Sequence, residues 1–313
     1  MVKGPDLVIS TEPCAVQADS SRRSARAIPA GKFAAFVELS KPGVGGLVIL
    51  TTLCGALTAP VTMGIGRLAA ALAGTSLVVA AANGLNMVIE RNSDALMSRT
   101  RDRPLPTRRL SPELALGFCL AASVIGSALL FAFVGSLAAW LTLAALVSYV
   151  AAYTPMKRVS PLALFVGAVP GAIPPLIGWA SATGSLDRLA WLEFAVLYVW
   201  QLPHFLAIAI FRKDEYARAG MRVLSVSHGV QRSKLEIALY SLALVLVSLL
   251  PVGLGLAGMG YAVVALTCGL AFMALVTAGF SMQDDRRWAR RVFFASMPYL
   301  VIVLGALAGF AGR

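Results

Sequence analysis

The chain has 313 residues, of which 58% are hydrophobic and only 13% are charged. With a mean hydropathy of +0.78, this composition excludes a soluble globular domain and is typical of a protein that crosses a membrane several times. The net charge of +12 would also suit a nucleic-acid-binding protein, but the positions of the cations, given below, favour a membrane protein and no nucleic-acid partner.

The first 31 residues differ from the rest of the chain. Residues 1–31 are polar, include several acidic side chains and lack the apolar stretch of a signal peptide. We interpret them as a disordered cytoplasmic tail that precedes a single membrane domain over residues 32–313. At the start of that domain, residues 32–41 have a lysine at each end with Phe33, Phe36, Val37 and Leu39 between them, which predicts a short amphipathic helix at the membrane interface.

Nine apolar segments follow in the sequence. Each is close to the roughly 17–25 residues that cross about 30 Å of hydrocarbon. The predicted fold class is therefore an all-α membrane protein, a bundle of nine transmembrane helices embedded in the lipid bilayer. The predicted spans are 44–63, 69–89, 114–134, 137–152, 162–180, 189–210, 235–256, 261–282 and 292–310.

The cations orient this bundle. Of the 27 Lys and Arg residues, 24 lie in the N-terminal tail or in the loops after the even-numbered spans, and Arg67, Arg188 and Arg313 lie opposite. By the positive-inside rule, this distribution predicts a cytoplasmic N-terminus and an odd number of spans. The same loops hold most of the other polar residues, so we expect the functional site on the cytoplasmic side.

One amide and two carboxylates stand at the cytoplasmic end of the second span. Asn86, Glu90 and Asp94 are four residues apart, so on a helix they drift by only about 40° per step and share one face. Magnesium is usually held by one or two carboxylates together with substrate phosphates. The spacing therefore favours a metal–diphosphate site. Helix capping with charge pairing to Arg91 or Arg99 is the structural alternative.

Arginines follow this motif closely. Arg99, Arg101 and Arg103 come within a few turns of chain, and the guanidinium group suits the geometry of phosphate. After the fourth span, Lys157 could bind the same anion or could simply be an interfacial lysine with its charge in water.

The later spans contribute further candidates. His204 lies within the sixth span, where an ionisable group indicates function unless it is a hydrogen-bonded imidazole of the core. Asp214 and Glu215, next to Tyr216, form either a second metal-binding pair or plain surface charge. The fifth span is rich in Gly and Pro, and such irregular backbone is tolerated in membranes where it lines a cavity.

These motifs together resemble the UbiA superfamily of intramembrane prenyltransferases. The resemblance rests on the Asn-x3-(Asp/Glu)-x3-Asp pattern with its trailing Arg99 and Arg103-Pro-Leu. Within the superfamily, the chain is similar to the branch that farnesylates protohaem. The runs that carry this finer similarity are residues 39–42 (LSKP), 153–158 (YTPMKR), 167–179 (GAVPGAIPPLIGW) and 200–205 (WQLPHF).

The resemblance implies a fold, a reaction and a location. The fold is nine helices around a central cavity that opens to the membrane. The implied reaction is the Mg²⁺-dependent transfer of the farnesyl group of farnesyl diphosphate to a vinyl group of haem B, which gives haem O. The implied location is the bacterial inner membrane, with a haem A synthase as a further partner.

The resemblance also implies roles for single residues. It assigns the binding of Mg²⁺ and diphosphate to Asn86, Glu90 and Asp94, and the compensation of the diphosphate charge to Arg99, Arg103 and Lys157. It places Asp214, Glu215 and Tyr216 in a second acidic region. It places His204 in the haem-side motif. The chain departs from the family pattern at Glu90, where aspartate is usual, at Asn92, where a third acid is usual, and at Gly43, where arginine is usual. The longer side chain of Glu90 leaves the placement of the metal open.

Two other functions are compatible with the sequence. Another prenyltransferase of the UbiA type would act on an aromatic acid or a quinone precursor, although the runs at 167–179 and 200–205 favour protohaem. A haem-binding assembly protein without catalysis is compatible with the departures at Glu90 and Gly43. A transporter is disfavoured, because its polar residues would lie near the middle of the membrane rather than at one face.

Overall fold

The computed structural model describes residues 31–157 and 159–310, which fold almost entirely into helices. A π-helical segment, Ser148–Tyr153, connects α5 to α6. The helices are α1 (Lys32–Leu39), α2 (Pro42–Thr58), α3 (Ile65–Asp94), α4 (Pro112–Phe133), α5 (Ser136–Val147), α6 (Thr154–Met156), α7 (Ala163–Ala172), α8 (Pro174–Thr183), α9 (Arg188–Phe211), α10 (Lys213–Arg218), α11 (Leu224–Ser227), α12 (Gly229–Gly253), α13 (Met259–Ala278) and α14 (Asp285–Phe310).

The number of membrane spans agrees with the sequence prediction. Over the described residues, eight helical segments are long and apolar enough to cross a membrane, and α1 with α2, bent by 48°, supplies a ninth if the pair is one span. The predicted all-α membrane bundle is therefore confirmed. The predicted tail, apart from Gly31, lies outside the described residues.

The bend between α1 and α2 lies at Lys41. Its φ of 49° is left-handed, a conformation that a side chain with a Cβ rarely adopts, and Pro42 begins the next helix. In α1, Ala35 and Leu39 are buried while Phe33 is 82% exposed. This arrangement matches the amphipathic helix predicted for residues 32–41, with one face on the bundle and the other available to lipid.

Glycines let the central helices approach closely. A Cβ on Gly74 of α3 would lie 2.9 Å from the carbonyl oxygen of Gly126 in α4. At the crossing of α2 and α8, a Cβ on Gly55 would collide with the carbonyl of Pro175, and one on Gly178 with the carbonyl of Thr52. Lipid is as apolar as the helix surfaces, so membrane helices associate through close van der Waals packing rather than the hydrophobic effect. Small residues at the crossings allow that close packing.

The fifth predicted span is two helices rather than one. α7 ends at Ala172 and α8 begins at Pro174, because Pro174 and Pro175 have no backbone N–H to continue the hydrogen-bond ladder. Gln201 of α9 ties α7 to the bundle by donating from Nε2 to the carbonyl of Ala168 at 3.0 Å. The predicted irregularity of the span is confirmed.

α3 is longer than the membrane is thick. Its 30 residues span about 45 Å, compared with about 30 Å of hydrocarbon. The predicted span stopped at residue 89, whereas the helix continues to Asp94. The end of α3, with Glu90 and Asp94, therefore continues beyond the predicted apolar span.

Candidate active site

The last turns of α3 present three polar side chains on one face. Asn86, Glu90 and Asp94 are helical, as predicted, and are only 2%, 3% and 1% exposed. Burying two carboxylates is costly unless other groups compensate their charge. The surrounding helices supply that compensation.

Each of the three side chains meets a cation. Nζ of Lys157 lies 2.5 Å from Oε2 of Glu90, and Nη1 of Arg103 lies 2.7 Å from Oδ2 of Asp94. Nζ of Lys41 donates to Oδ1 of Asn86 at 3.0 Å. The partners are therefore not Arg91 or Arg99, as the alternative of helix capping with local pairing had suggested.

The loop between α3 and α4 folds back to deliver Arg103. The hydroxyl of Thr100 donates to the carbonyl of Asp94 at 2.8 Å, which fixes the first turn of the loop on the end of α3. Met97 and Leu105 are buried beneath it. Because the loop is anchored on both sides of Arg103, the guanidinium is aimed at Asp94 rather than left to solvent.

The π-helical segment and α6 deliver the other side of the site. Nδ2 of Asn86 donates to Oγ1 of Thr154 at 3.2 Å, and Thr154 donates to the carbonyl of Tyr149 at 2.8 Å. Nζ of Lys157 also lies 5.4 Å from the centre of the Tyr153 ring. π-Helical turns are frequent at functional sites because they shift the register of the side chains that follow.

Burial and charge act against each other at Lys157. Burial lowers the pKa of Lys157 below its ordinary value, and the adjacent carboxylate of Glu90 opposes that effect. An ammonium group that is short of solvent is stabilised by an anionic partner held close to it, which here is Glu90.

A small cavity adjoins the acidic face. Its volume is about 120 Å³, and its walls combine apolar side chains of α7 and α9 with Tyr153, Lys157, Tyr216 and Arg222. Burial raises the pKa of Tyr216, while Arg99 and Arg212 lower it. Lys157 belongs both to this wall and to the ion pair with Glu90, so it joins the cavity to the acidic face.

The predicted second acidic region is only partly directed towards this site. Tyr216 lines the cavity, whereas Asp214 is exposed and Glu215 pairs with Arg212 at 2.7 Å. Arg99 is exposed, too, and lies near Tyr216 rather than in an ion pair with Asp94. Roles for Arg99, Asp214 and Glu215 in binding stay predictions.

His204 lies in an aromatic cluster between α9 and α14. Its ring stacks on Trp200, with ring centres 4.6 Å apart, and lies 4.6 Å from the ring centre of Phe293. Nδ1 is 2.7 Å from Oγ of Ser296, and because that hydroxyl donates to the carbonyl of Phe293, Nδ1–H is the donor to Ser296. These contacts are those of a hydrogen-bonded core imidazole. They do not test the haem-side role of His204, which stays a prediction.

The acidic face has the donor chemistry that magnesium prefers. Its ligand atoms are carboxylate and amide oxygens, and Oε1 of Glu90 is buried without a hydrogen-bond partner. A buried, unpartnered carboxylate oxygen is unfavourable unless a ligand completes it. Within the described part of the chain, no group of three or more His, Cys, Asp or Glu side chains could hold a metal, so other ligands would have to complete the coordination shell.

Sequence reasoning missed two residues of this site. Lys41 was quoted only as part of the LSKP run and Thr154 only as part of YTPMKR, yet both contact Asn86. Lys41 lies 45 residues from its partner, and no local spacing reveals such a contact. The proline that follows Lys41 was the available signal, because it marks a break where a charged side chain can turn inward.

The sequence matches a family model and a set of curated proteins. The UbiA prenyltransferase family matches residues 47–297. A protoheme IX farnesyltransferase of Sorangium cellulosum is 53% identical over 77% of this chain and 86% of its own length. A protein of the same name from Anaeromyxobacter dehalogenans is 45% identical over 87% of this chain and 92% of its own length.

Solved structures share the fold at low identity. A structure of digeranylgeranylglyceryl phosphate synthase has a TM-score of 0.75 at 16% identity and covers 89% of this chain and 98% of its own. A UbiA homologue from Archaeoglobus fulgidus, solved with GPP and Mg²⁺ bound, has a TM-score of 0.66 at 14% identity and covers 87% of this chain and 99% of its own. At these identities the likeness shows the helical architecture alone.

Proposed function

Because the chain belongs to the UbiA prenyltransferase family, we propose that it transfers the farnesyl group of farnesyl diphosphate to a vinyl group of haem B, which gives haem O. The acceptor is supported by the names of the similar proteins, which are protoheme IX farnesyltransferases. The observation that carries the proposal is the acidic face of α3, where each polar side chain meets a cation beside a cavity.

Asn86, Glu90 and Asp94 would hold Mg²⁺ through their oxygens. When bound, Mg²⁺ would stabilise the negative charge of the diphosphate leaving group. The homologue from Archaeoglobus fulgidus, solved with GPP and Mg²⁺, supports a metal for this family. Glu90 in place of aspartate still provides a carboxylate, and its unpartnered Oε1 is the atom best placed to accept a new ligand.

Lys157, Arg103 and Lys41 would bind the diphosphate, and Arg99 would approach it from the more exposed side. As the allylic C–O bond breaks, its electron pair goes to the diphosphate, and the negative charge grows where these cations stand. Cations already aimed at that position stabilise the transition state more than the ground state. This is the main contribution that the chain's own residues would make to the rate.

The cavity would hold the reacting end of the farnesyl chain. Its walls are mostly apolar and include side chains of α7 and α9, which would exclude water from the allylic cation. The volume of about 120 Å³ lies below the roughly 300 Å³ at which whole-ligand pockets begin, so the rest of the prenyl chain would extend towards lipid. The ring of Tyr153, already beneath the ammonium of Lys157, would also face the allylic cation.

The vinyl group of haem B would complete the reaction. Its π electrons form the new carbon–carbon bond with the allylic carbon, which leaves a cation next to the porphyrin. Water then adds to that carbon and releases a proton, so the product carries a hydroxyethylfarnesyl group and diphosphate is the leaving group. A haem A synthase as the partner that consumes haem O stays a prediction.

The proposed cellular arrangement follows from the charges. We place the protein in the bacterial inner membrane, with residues 1–31 as a cytoplasmic tail, residues 32–313 as one membrane domain, and the site on the cytoplasmic side. The cations of the loops support this orientation, since they lie largely on the side of the acidic face.

The proposal is tested with purified protein, haem B, farnesyl diphosphate and Mg²⁺. Mass spectrometry should detect a farnesylated, hydrated haem, and EDTA should stop its formation until Mg²⁺ is restored. A parallel reaction with 4-hydroxybenzoate tests the alternative acceptor class of aromatic acids. Prenylation of that acid without any haem product would overturn the proposed acceptor, and activity that survives EDTA would overturn the proposed metal.

A further inference from the structure

The acidic face is already occupied by the chain's own cations. Lys157 lies 2.5 Å from Glu90, Arg103 lies 2.7 Å from Asp94, and Lys41 uses the amide oxygen of Asn86. The ion-paired side chains are poorly exposed, at 18% for Lys157, 4% for Glu90, 16% for Arg103 and 1% for Asp94. At such exposure, salt and water screen these contacts little.

A free divalent cation therefore meets two obstacles at this site. It would have to displace ammonium and guanidinium groups from its ligand oxygens and then remain next to them, and like charges at short range in a poorly solvated site repel strongly. It would also find few ligands, because the described residues offer no cluster of three or more acidic, His or Cys side chains. Magnesium usually completes its shell with water and substrate phosphate.

A diphosphate removes both obstacles at once. Its oxygens would attract Lys41, Arg103 and Lys157 away from Asn86, Asp94 and Glu90, respectively, and would also supply the missing metal ligands. We propose that Lys41, Arg103 and Lys157 form a cation lock, which keeps a free divalent metal out of the acidic face and opens only when a diphosphate takes over the three cations. This inference rests on the proposed function, since it presumes that the site binds a diphosphate.

The cation lock makes metal and diphosphate binding reciprocal. A diphosphate that tightens metal binding by a given factor is itself bound more tightly by the same factor in the presence of the metal. After the transfer, loss of either ligand weakens the hold on the other, so the metal and the released diphosphate leave together. The lock therefore governs both the loading and the emptying of the site.

Manganese binding measured by electron paramagnetic resonance tests the lock without requiring turnover. Purified protein is titrated at buffered free Mn²⁺, with and without inorganic pyrophosphate. We expect pyrophosphate to tighten Mn²⁺ binding by at least about tenfold, within the usual range of coupling between sites. In Lys157→Gln, Mn²⁺ alone should bind more tightly than to the wild type, and the effect of pyrophosphate should fall below about threefold.

Two further variants keep this test decisive. Lys32→Gln makes the same chemical change at an exposed lysine of α1 and should behave as the wild type. Arg103→Gln, which opens the lock at Asp94 instead of Glu90, replaces Lys157→Gln if that protein does not purify as a single folded species. Equal Mn²⁺ affinity with and without pyrophosphate in the wild type, or an unchanged effect of pyrophosphate in the lock variants, would overturn the proposal.

The failure of the lock and the failure of the proposed function give different results. If farnesylated haem forms but Mn²⁺ and pyrophosphate bind independently, the cation lock is wrong and the proposed reaction stands. If Mn²⁺ and pyrophosphate are coupled but no haem product forms, the proposed acceptor is wrong and the lock stands.

Discussion

Lys157 occupies the position where three features of the site meet. It pairs with Glu90, covers the ring of Tyr153 and lines the cavity. A lysine that only placed its charge in interfacial water would make none of these contacts. Its side chain instead lies between the acidic face and the space where the allylic carbon would sit.

Replacing Lys157 tests its proposed role in stabilising the leaving group. In Lys157→Gln, we expect kcat/KM for farnesyl diphosphate to fall by about 100-fold or more, the cost of losing one charge-stabilising donor. Lys157→Arg should recover part of that loss because it restores the positive charge. Steady-state kinetics in detergent provide the measurement, and a glutamine variant with nearly normal kcat/KM would show that Lys157 does not act on the diphosphate.

The contacts of His204 predict a loss of stability when it is replaced. His204→Leu removes the hydrogen bond to Ser296 and the polar part of a stacked cluster, and we expect it to lower the free energy of unfolding by about 1–3 kcal/mol. Thermal unfolding in detergent, followed by circular dichroism, measures the change. Unaltered stability together with a large rise in KM for haem B would instead support the predicted haem-side role.

Single residues were predictable from the sequence where a local rule applied. The four-residue spacing placed Asn86, Glu90 and Asp94 on one helical face, as the structure has them. Their cationic partners were harder to predict. Arg103 reaches Asp94 only through the fold of its loop, and Lys41 lies between α1 and α2, far from α3 in the sequence. Spacing carries information within a helix and very little across the bundle.

At the scale of the helices, close crossings hold the bundle around the site. α2 and α8 touch through Gly55 and Gly178, where a Cβ would collide with the backbone of the neighbouring helix. The site depends on these crossings indirectly, because Lys41 directly precedes α2 and α8 follows α7, which lines the cavity. A shift of the crossing between α2 and α8 would therefore move both Lys41 and the side of the cavity that α7 lines.

Gly178→Ala tests this crossing. The added methyl group has no space against the carbonyl of Thr52, so we expect a loss of about 1–3 kcal/mol in unfolding free energy, as for other overpacked cores. Gly45→Ala in α2 is the matched control, because nothing lies within 4 Å of a Cβ there, and alanine in a helix should be neutral or slightly stabilising. Equal thermal midpoints for the two variants would contradict the packing account.

The helices were largely predictable from apolar length, but their interruptions were only partly so. Proline signalled the break between α7 and α8, because it cannot donate a backbone hydrogen bond. No comparable residue signalled the π-helical segment Ser148–Tyr153, which directly precedes Thr154 and supplies the carbonyl of Tyr149 that Thr154 binds. The contact of Asn86 with Thr154 is a tertiary one, which periodicity does not encode.

For the whole molecule, charge decides the orientation in the membrane. The loop between α3 and α4 carries the arginines of the site, whereas the turn between α8 and α9 has few cations. The positive-inside rule therefore predicts that the acidic face lies on the cytoplasmic side. In the proposed reaction, the acidic face would bind the water-soluble diphosphate end of the donor there, while the apolar parts of both substrates would approach through lipid.

Cysteine labelling measures this orientation. In a background without native cysteines, Ser185→Cys in the turn after α8 should react with an impermeant maleimide from outside intact cells. Asp102→Cys in the loop after α3 should react only after the membrane is permeabilised. Both side chains are exposed, so accessibility within the protein does not limit the reaction. The reverse pattern of labelling would contradict a cytoplasmic site.

The central claim is that the carboxylates at the end of α3 enable the departure of diphosphate from the prenyl donor. The most direct test is the rate of farnesyl transfer to haem B by Asp94→Asn, which keeps the shape of the side chain and removes its charge, compared with Glu113→Gln at an exposed acid of α4. The account predicts a loss of about 1,000-fold in Asp94→Asn, an unchanged thermal midpoint within a few degrees, and a normal rate in Glu113→Gln. A folded Asp94→Asn protein that transfers farnesyl at a rate near that of the wild type would contradict it.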